Sequence, residues 1–269
     1  MKKTKIFFCL ALAFTSITSC QKETFNNDIS KESSAAKDNI EVCHYDESSG
    51  TYHPIIISFN AWPAHQAHGD VMGDCSTYVN NCDQEWALKN LDVTTYRNGD
   101  VIPQVSDPVA WRNLTTGAWC YYNNDPTTND TYGKLYNIFA VTDPRGLAPE
   151  GWHISTRAEW AILGACFGGD NTAGGALKST GTIQDGTGTW EAPNTGATNS
   201  SGFTGQPGGL RDIFGTFIAL GQGGYWWSAT QDPSFTDYYY GRWLTYDSDD
   251  FLEPTAYKTL GLSVRVVKD

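Results

Sequence analysis

The sequence predicts an α+β fold of few helices, short strands and long glycine-rich loops, and three stretches carry that prediction. Thr156 and Glu159 stand at capping-box spacing, and Trp160, Leu163 and Phe167 follow at i, i+3 and i+7. A helix with one apolar face therefore begins here, and Gly168-Gly169 ends it. Near the end of the chain Leu262, Val264 and Val266 alternate with Ser263, Arg265 and Val267, the period of a half-buried strand. Residues 168–224 are dominated by Gly, Thr, Asn and Ser. That is long for a structureless loop in a compact domain, so a patterned loop region with its own turns is expected. Leu135–Val141 and Tyr225–Ala229 read as further buried strands.

Composition limits the function classes. The 269 residues carry a net charge of -12, which disfavours nucleic acid, because phosphate recognition needs a basic face. Ten Trp, fourteen Tyr and twelve Phe supply enough core to exclude bulk disorder. The 27 glycines have no three-residue period, which excludes a collagen-like chain.

Residues 1–20 read as an export signal. Lys2, Lys3 and Lys5 precede an apolar run over residues 6–17, too short for a bilayer span of roughly 20 residues. The run ends in S-I-T-S-C, which resembles a bacterial lipobox with Cys20 as the lipidated residue; ordinary cleavage near Ser19 is the alternative. Acyl chains contribute about 0.8 kcal/mol per buried methylene, so several chains anchor stably. The following Q-K-E resembles the surface-export signal of Bacteroidetes lipoproteins. The expectation is an outer-membrane, lipid-anchored protein exposed at the cell surface. Loss of residues 1–20 removes three lysines and no acid, taking the charge from -12 to -15. Residues 21–41 are polar and aperiodic and read as a disordered tether with a reach of about 70 Å.

Residues 42–76 form a small unit bracketed by Cys43 and Cys75. Ile55, Ile56, Ile57 and Phe59 read as a short strand. Asn60 reads as the N-cap of a short helix through His68, with Pro63 in the first turn and Gly69 as the stop. Three readings stay open, one being that the unit has neither a bridge nor a metal. A Cys43–Cys75 disulfide would staple a unit too small to hold itself together, as exported proteins permit. Alternatively Cys43, His65, His68 and Cys75 could form a Cys2His2 zinc site, since a helix places His65 and His68 on one face.

From about residue 82 the motifs run W-A-L-K-N-L-D-V-T-T-Y-R-N-G-D (86–100), G-A-W-C-Y-Y-N-N-D (117–125) and Y-G-K-L-Y-N (132–137). A-P-E-G-W-H-I-S-T-R-A-E-W (148–160), G-Y-W-W-S-A-T (224–230) and G-L-S-V-R-V-V-K-D (261–269) follow. Their order and spacing resemble the Fibrobacter succinogenes major paralogous domain over residues 82–269. The resemblance implies a C-type lectin-like fold: small antiparallel sheets, N- and C-terminal strands close together, and a long loop region. Members of that family are mostly exported or surface proteins. Many carry Cys in the final strand as S-V-R-C, which in lectin-like folds can pair with a cysteine on the first helix, where Cys166 sits. Here Val266 stands in its place and that bridge cannot form. The remaining expectation is a Cys82–Cys120 disulfide, with Cys166 a buried thiol.

Lectin-like folds include cysteine-dependent formylglycine-generating enzymes, but no cysteine pair here suits that chemistry. His153, in G-W-H before the helix cap, reads as structural. Asp247, Asp249 and Asp250 read as a solvated loop. E-A-P-N at 191–194 resembles the calcium-dependent sugar motif Glu-Pro-Asn, but Ala192 breaks its spacing and calcium needs six to eight oxygens. No cofactor is expected, with zinc in the small unit and calcium at 191–194 as the metals weighed against that. Binding is the stronger reading. Trp226, Trp227, Tyr238, Tyr240 and Trp243 crowd one stretch, and aromatic faces beside polar groups recognise sugars and peptides. Since neighbours on a strand face opposite ways, one of Trp226 and Trp227 should be core and the other partly exposed. The expected function is binding of an extracellular glycan or protein, as in adhesion. The alternative is a structural part of an envelope or filament assembly, and an enzyme ranks last.

Overall fold

The structure, a computed structural model, describes residues 39–46, 51–67, 71–72 and 78–269. The leader with Cys20, the tether up to residue 38, His68 and Cys75 lie outside the described residues.

In the small unit, β1 (Asn39–Asp46) pairs antiparallel with β2 (Thr51–Ser58) in continuous register, so the predicted strand is real and longer than its isoleucines indicated. A 3-10 turn over Phe59–Ala61 leads into α1 (Trp62–Ala67), which keeps Pro63 in its first turn. β3 (Val71–Met72) completes the sheet in the order β2-β1-β3. Cys43 is buried and disulfide-bonded. His65 meets His44 edge-to-face, with ring centroids 5.6 Å apart.

The large unit begins with a hairpin, β4 (Tyr78–Asn81) and β5 (Gln84–Ala87). Its two turn residues, Cys82 and Asp83, have φ of 52° and 63°, the left-handed pair that matches strand twist. Then come α2 (Pro108–Arg112), β6 (Trp119–Cys120), α3 (Asn129–Tyr132), β7 (Leu135–Tyr136) and α4 (Ile138–Val141). Leu135–Val141 is thus buried as expected, yet it is not one strand. Asn137 accepts a hydrogen bond from the Ala140 amide at 3.1 Å and caps a helical turn at that point. β8 (Trp152–Ile154) leads into α5 (Arg157–Cys166), whose capping box forms between Thr156 and Glu159. Gly168 and Gly169, with φ of 100° and 89°, end it, and the Gly169 amide reaches back to the Gly164 carbonyl at 2.9 Å.

The glycine-rich stretch contains α6 (Ala173–Leu177), β9 (Gly208–Arg211) and β10 (Phe217–Leu220), so it is patterned as expected. β11 (Gly223–Gln231), β12 (Tyr238–Thr245) and β13 (Thr255–Tyr257) form an antiparallel sheet in that order. β14 (Val266–Lys268) inserts between β5 and β8, which joins the two ends of the unit in one four-stranded sheet, β4-β5-β14-β8. The architecture is mixed α+β, with small antiparallel sheets and few helices.

The last strand corrects one expectation. Ser263, Arg265 and Val267 are as buried as Leu262, Val264 and Val266. Alternation separates two cores here. Val264 and Val266 pack with Tyr136, Ile154 and Trp227, whereas Val267 packs with Trp86, Trp160 and Trp226. Among the described residues no carboxylate pairs with Arg265. Its guanidinium donates to the Ala87 and Phe203 carbonyls at 2.6 and 3.0 Å and stands 4.1 Å over the Phe203 ring.

The cysteine pairing is also corrected. Cys82 bonds Cys166, with Cα atoms 6.1 Å apart, and among the described residues Cys120 is the free thiol, buried in β6. The reason is helical phase. Cys166 lies six residues after Trp160, about 240° around the helix, and so falls off the apolar face. Trp86 of β5 packs on Trp160 of α5 at 4.4 Å between centroids. That contact holds the β4–β5 turn beside the end of α5.

Candidate functional site

The five aromatic residues singled out above separate into three groups. Trp226 and Trp227 are both wholly buried, which overturns the expectation that one would be exposed. They point to opposite faces of β11, but each face is covered by a core. The Trp226 indole N–H donates to the Asn90 side-chain oxygen at 2.7 Å, and that of Trp227 to the Tyr136 carbonyl at 2.7 Å. Trp243 lies on the other face of β12 from Tyr238 and Tyr240 and packs on Tyr225 at 5.3 Å. Tyr238 and Tyr240 remain.

Tyr238, Tyr240, Arg242 and Leu244 share one face of β12 by the two-residue period. Beside this face, at the start of α5, opens a cleft of about 510 Å³ lined by Thr156, Arg157, Asp170, Thr230, Arg242 and Glu253. The α5 N-cap fixes Arg157, whose amide donates to the Thr230 hydroxyl at 3.0 Å. The Arg157 guanidinium lies 4.0 Å over the Tyr240 ring and grips Glu253 at 2.7–2.8 Å. The other Glu253 oxygen accepts from Arg242 at 2.6 Å, and Arg242 also donates to Asp170 at 2.8 Å. A chain of alternating charge, Asp170–Arg242–Glu253–Arg157, therefore forms the polar wall. Arg242 is its buried anchor at 2% side-chain exposure, while the Arg157 side chain is 48% exposed.

The other candidates are occupied. Both His153 ring nitrogens meet carboxylates, Glu159 at 2.5 Å and Asp269 at 2.8 Å. Burial draws its pKa down, but these two hydrogen bonds draw it up further, and the net shift is upward. Burial pushes the Cys120 thiol up to about 12, so it does not ionise near neutrality. At E-A-P-N, the Asn194 amide donates inward to the Ser179 and Gly181 carbonyls at 3.0 and 2.9 Å. Glu191 accepts from Gln222 at 3.2 Å. Among the described residues no cluster of His, Cys, Asp and Glu is arranged to hold a metal. Nearby, the buried Lys178 ammonium donates to the Thr195, Thr245 and Ser248 carbonyls at 2.7, 3.0 and 2.7 Å, filling a cage of backbone oxygens with a tethered cation.

Sequence reasoning missed Arg157, Asp170, Thr230, Arg242 and Glu253. One signal was present. In Y-Y-Y-G-R-W-L, period two places Arg242 on the face of Tyr238 and Tyr240, a charge in line with two aromatics.

No curated protein and no solved structure matches the chain. The family model described as the Fibrobacter succinogenes major domain matches residues 79–268, and the chain is a member of that family.

Proposed function

We propose that the chain is an exported outer-membrane lipoprotein, anchored through Cys20 and displayed on the cell surface, whose large domain has a lectin-like fold and holds an external ligand in the cleft at the start of α5. The carrying observation is the cleft wall. Arg242 is nearly fully buried and fixed by two carboxylates, and it holds Glu253 and, through it, the exposed Arg157 in place beside Tyr240. Such preformed polar groups beside an aromatic ring bind without first having to order themselves. Adhesion or capture of a surface ligand is the role. Binding rather than catalysis is supported by the engagement of both His153 nitrogens, the bridging of Cys166 and the raised pKa of Cys120.

The test is a screen of the purified protein against glycan and matrix-protein arrays, with Arg157→Ala alongside. Loss of the captured ligand in a variant that melts like wild type supports the cleft. Equal capture by both sinks it. Metabolic labelling with an alkyne-bearing fatty acid tests the anchor: label on wild type and none on Cys20→Ala is expected.

A further inference from the structure

The geometry points to an uncharged, extended glycan as the ligand, lying along a ledge that runs from Phe235 to the cleft. This rests on the reading of the cleft as the binding site and adds a chemical class to it. The ledge has an aromatic half. Phe235 is 64% exposed and meets Tyr238, 37% exposed, at 6.1 Å between ring centroids. Tyr238 pairs across the strands with Tyr257 at 5.4 Å. Tyr240 follows two residues later on the same face, about 6.7 Å along the strand. The Tyr240 ring is capped by the Arg157 guanidinium, so the open rings are Phe235 and Tyr238, and they run in line toward that capped ring and the cleft, which suits an extended polymer better than a single small molecule.

The polar half argues for hydroxyl groups. Asp170, Arg242, Glu253 and Arg157 sum to zero charge while setting donors beside acceptors at 2.6–2.8 Å. A sugar hydroxyl both donates and accepts, so it can use such a pair from either side. An acidic polymer would meet a neutral wall on a chain of net charge -12. An extended peptide would seek a free strand edge, yet of the two outer strands β13 has three residues and β11 already bonds along its edge to the Ser263 and Ser155 backbone.

Affinity gel electrophoresis of the full-length protein decides the class. The probes are neutral polysaccharides (mixed-linkage β-glucan, arabinoxylan, galactomannan, glycogen) and acidic ones (polygalacturonate, alginate). Retardation by at least one neutral polymer is expected, changing less than about 2-fold between 0.05 and 0.5 M NaCl. Tyr238→Ala and Tyr240→Ala should each weaken it about 10-fold, and Tyr238→Phe, which keeps the stacking face, should retain it. Unchanged melting of each variant excludes unfolding as the cause. Retardation by acidic polymers alone, lost in Arg157→Ala, overturns the neutral class and leaves the cleft standing. Binding to a neutral polymer that both tyrosine variants and Arg157→Ala leave intact overturns the ledge and the cleft together. No retardation by any polymer overturns the glycan class, and the cleft is then judged by its own protein-array screen.

Discussion

Replacing Lys178 with Met keeps the length of the side chain and removes the ammonium. In the wild type that ammonium ties together Thr195, Thr245 and Ser248, three points on two separate stretches of chain, and sits 5.5 Å from the Trp190 ring. Hydrogen bonds to a charged group contribute roughly 1.5–3 kcal/mol each, so three are worth roughly 4.5–9 kcal/mol. Burial also penalises the charge, and the Lys178 pKa is pushed down from 10.5 to about 8. At about 1.36 kcal/mol per unit that cost is roughly 3 kcal/mol, and methionine relieves it. The net expectation is a loss of roughly 2–6 kcal/mol, a large share of the ~5–15 kcal/mol that holds a domain folded. In urea the midpoint should fall by about 1–3 M. The pH dependence gives a second reading. Because the folded pKa lies below the unfolded one, the unfolded chain holds more protons between pH 8 and 10.5. Wild-type stability should therefore rise through that window relative to Lys178→Met. A variant midpoint within about 0.2 M of wild type, or equal pH slopes for the two proteins, would refute the carbonyl cage as a clamp.

Other positions give independent checks. Cys82→Ala/Cys166→Ala opens a bridge spanning 84 residues and should cost about 4–5 kcal/mol in the chain-entropy account, read as a fall in melting temperature of about 10–18 °C. In the native protein Cys120 should resist maleimide and become reactive only in denaturant, since its thiol is buried and its pKa about 12. The raised His153 pKa stabilises the fold below pH 6.5, and that contribution is lost as pH rises through the folded value. With the ring 36% exposed, solvent screening holds the effect to about 0.5 kcal/mol, and a pH titration of stability in His153→Asn should lack it. Calcium should leave the melting temperature unchanged, because Asn194 points inward and the nearby carbonyls already hold Lys178; a calcium-induced rise of several degrees would contradict that.

Local signals were legible wherever a short segment settles its own structure. The Thr156 cap, the Trp160–Leu163–Phe167 face and the Gly168-Gly169 stop are all recovered in α5, because each depends on contacts within one helix. Long-range facts were not legible. Trp226 and Trp227 alternate as a half-exposed strand would, and only the layers on both sides of β11 show that each face has its own core. Cys82 reaches Cys166 because Trp86 packs on Trp160, a contact across 74 residues that no spacing announces. Asn137 interrupts an apolar run with a cap whose strength depends on where its neighbours lead. The site suffered the same way. Its tyrosines were visible, but the arginines and carboxylates that make a wall beside them come from α5, β12 and the two loops that hold Asp170 and Glu253.

The position of the site follows from how far the cover on one face of β12 extends. At the end of the strand that face is sealed: Leu244 is fully buried in the second core, and Arg242, against the Phe251 ring, is 2% exposed. Where the helix begins, Arg157 stands over Tyr240. Beyond that point the face continues without cover, and Tyr238 is exposed. A strand end left uncovered presents aromatic surface that must meet either solvent or a ligand. Here that surface abuts a charge chain fixed by the buried Arg242. Shortening the uncovered face, by Tyr238→Ala, should therefore leave folding intact and change only what the ledge holds. Truncating Arg242 to Met should do the opposite and loosen the cleft wall from within, because Asp170 and Glu253 would each lose a charged donor. A Tyr238→Ala protein that melted several degrees below wild type would show that the ring belongs to the core after all.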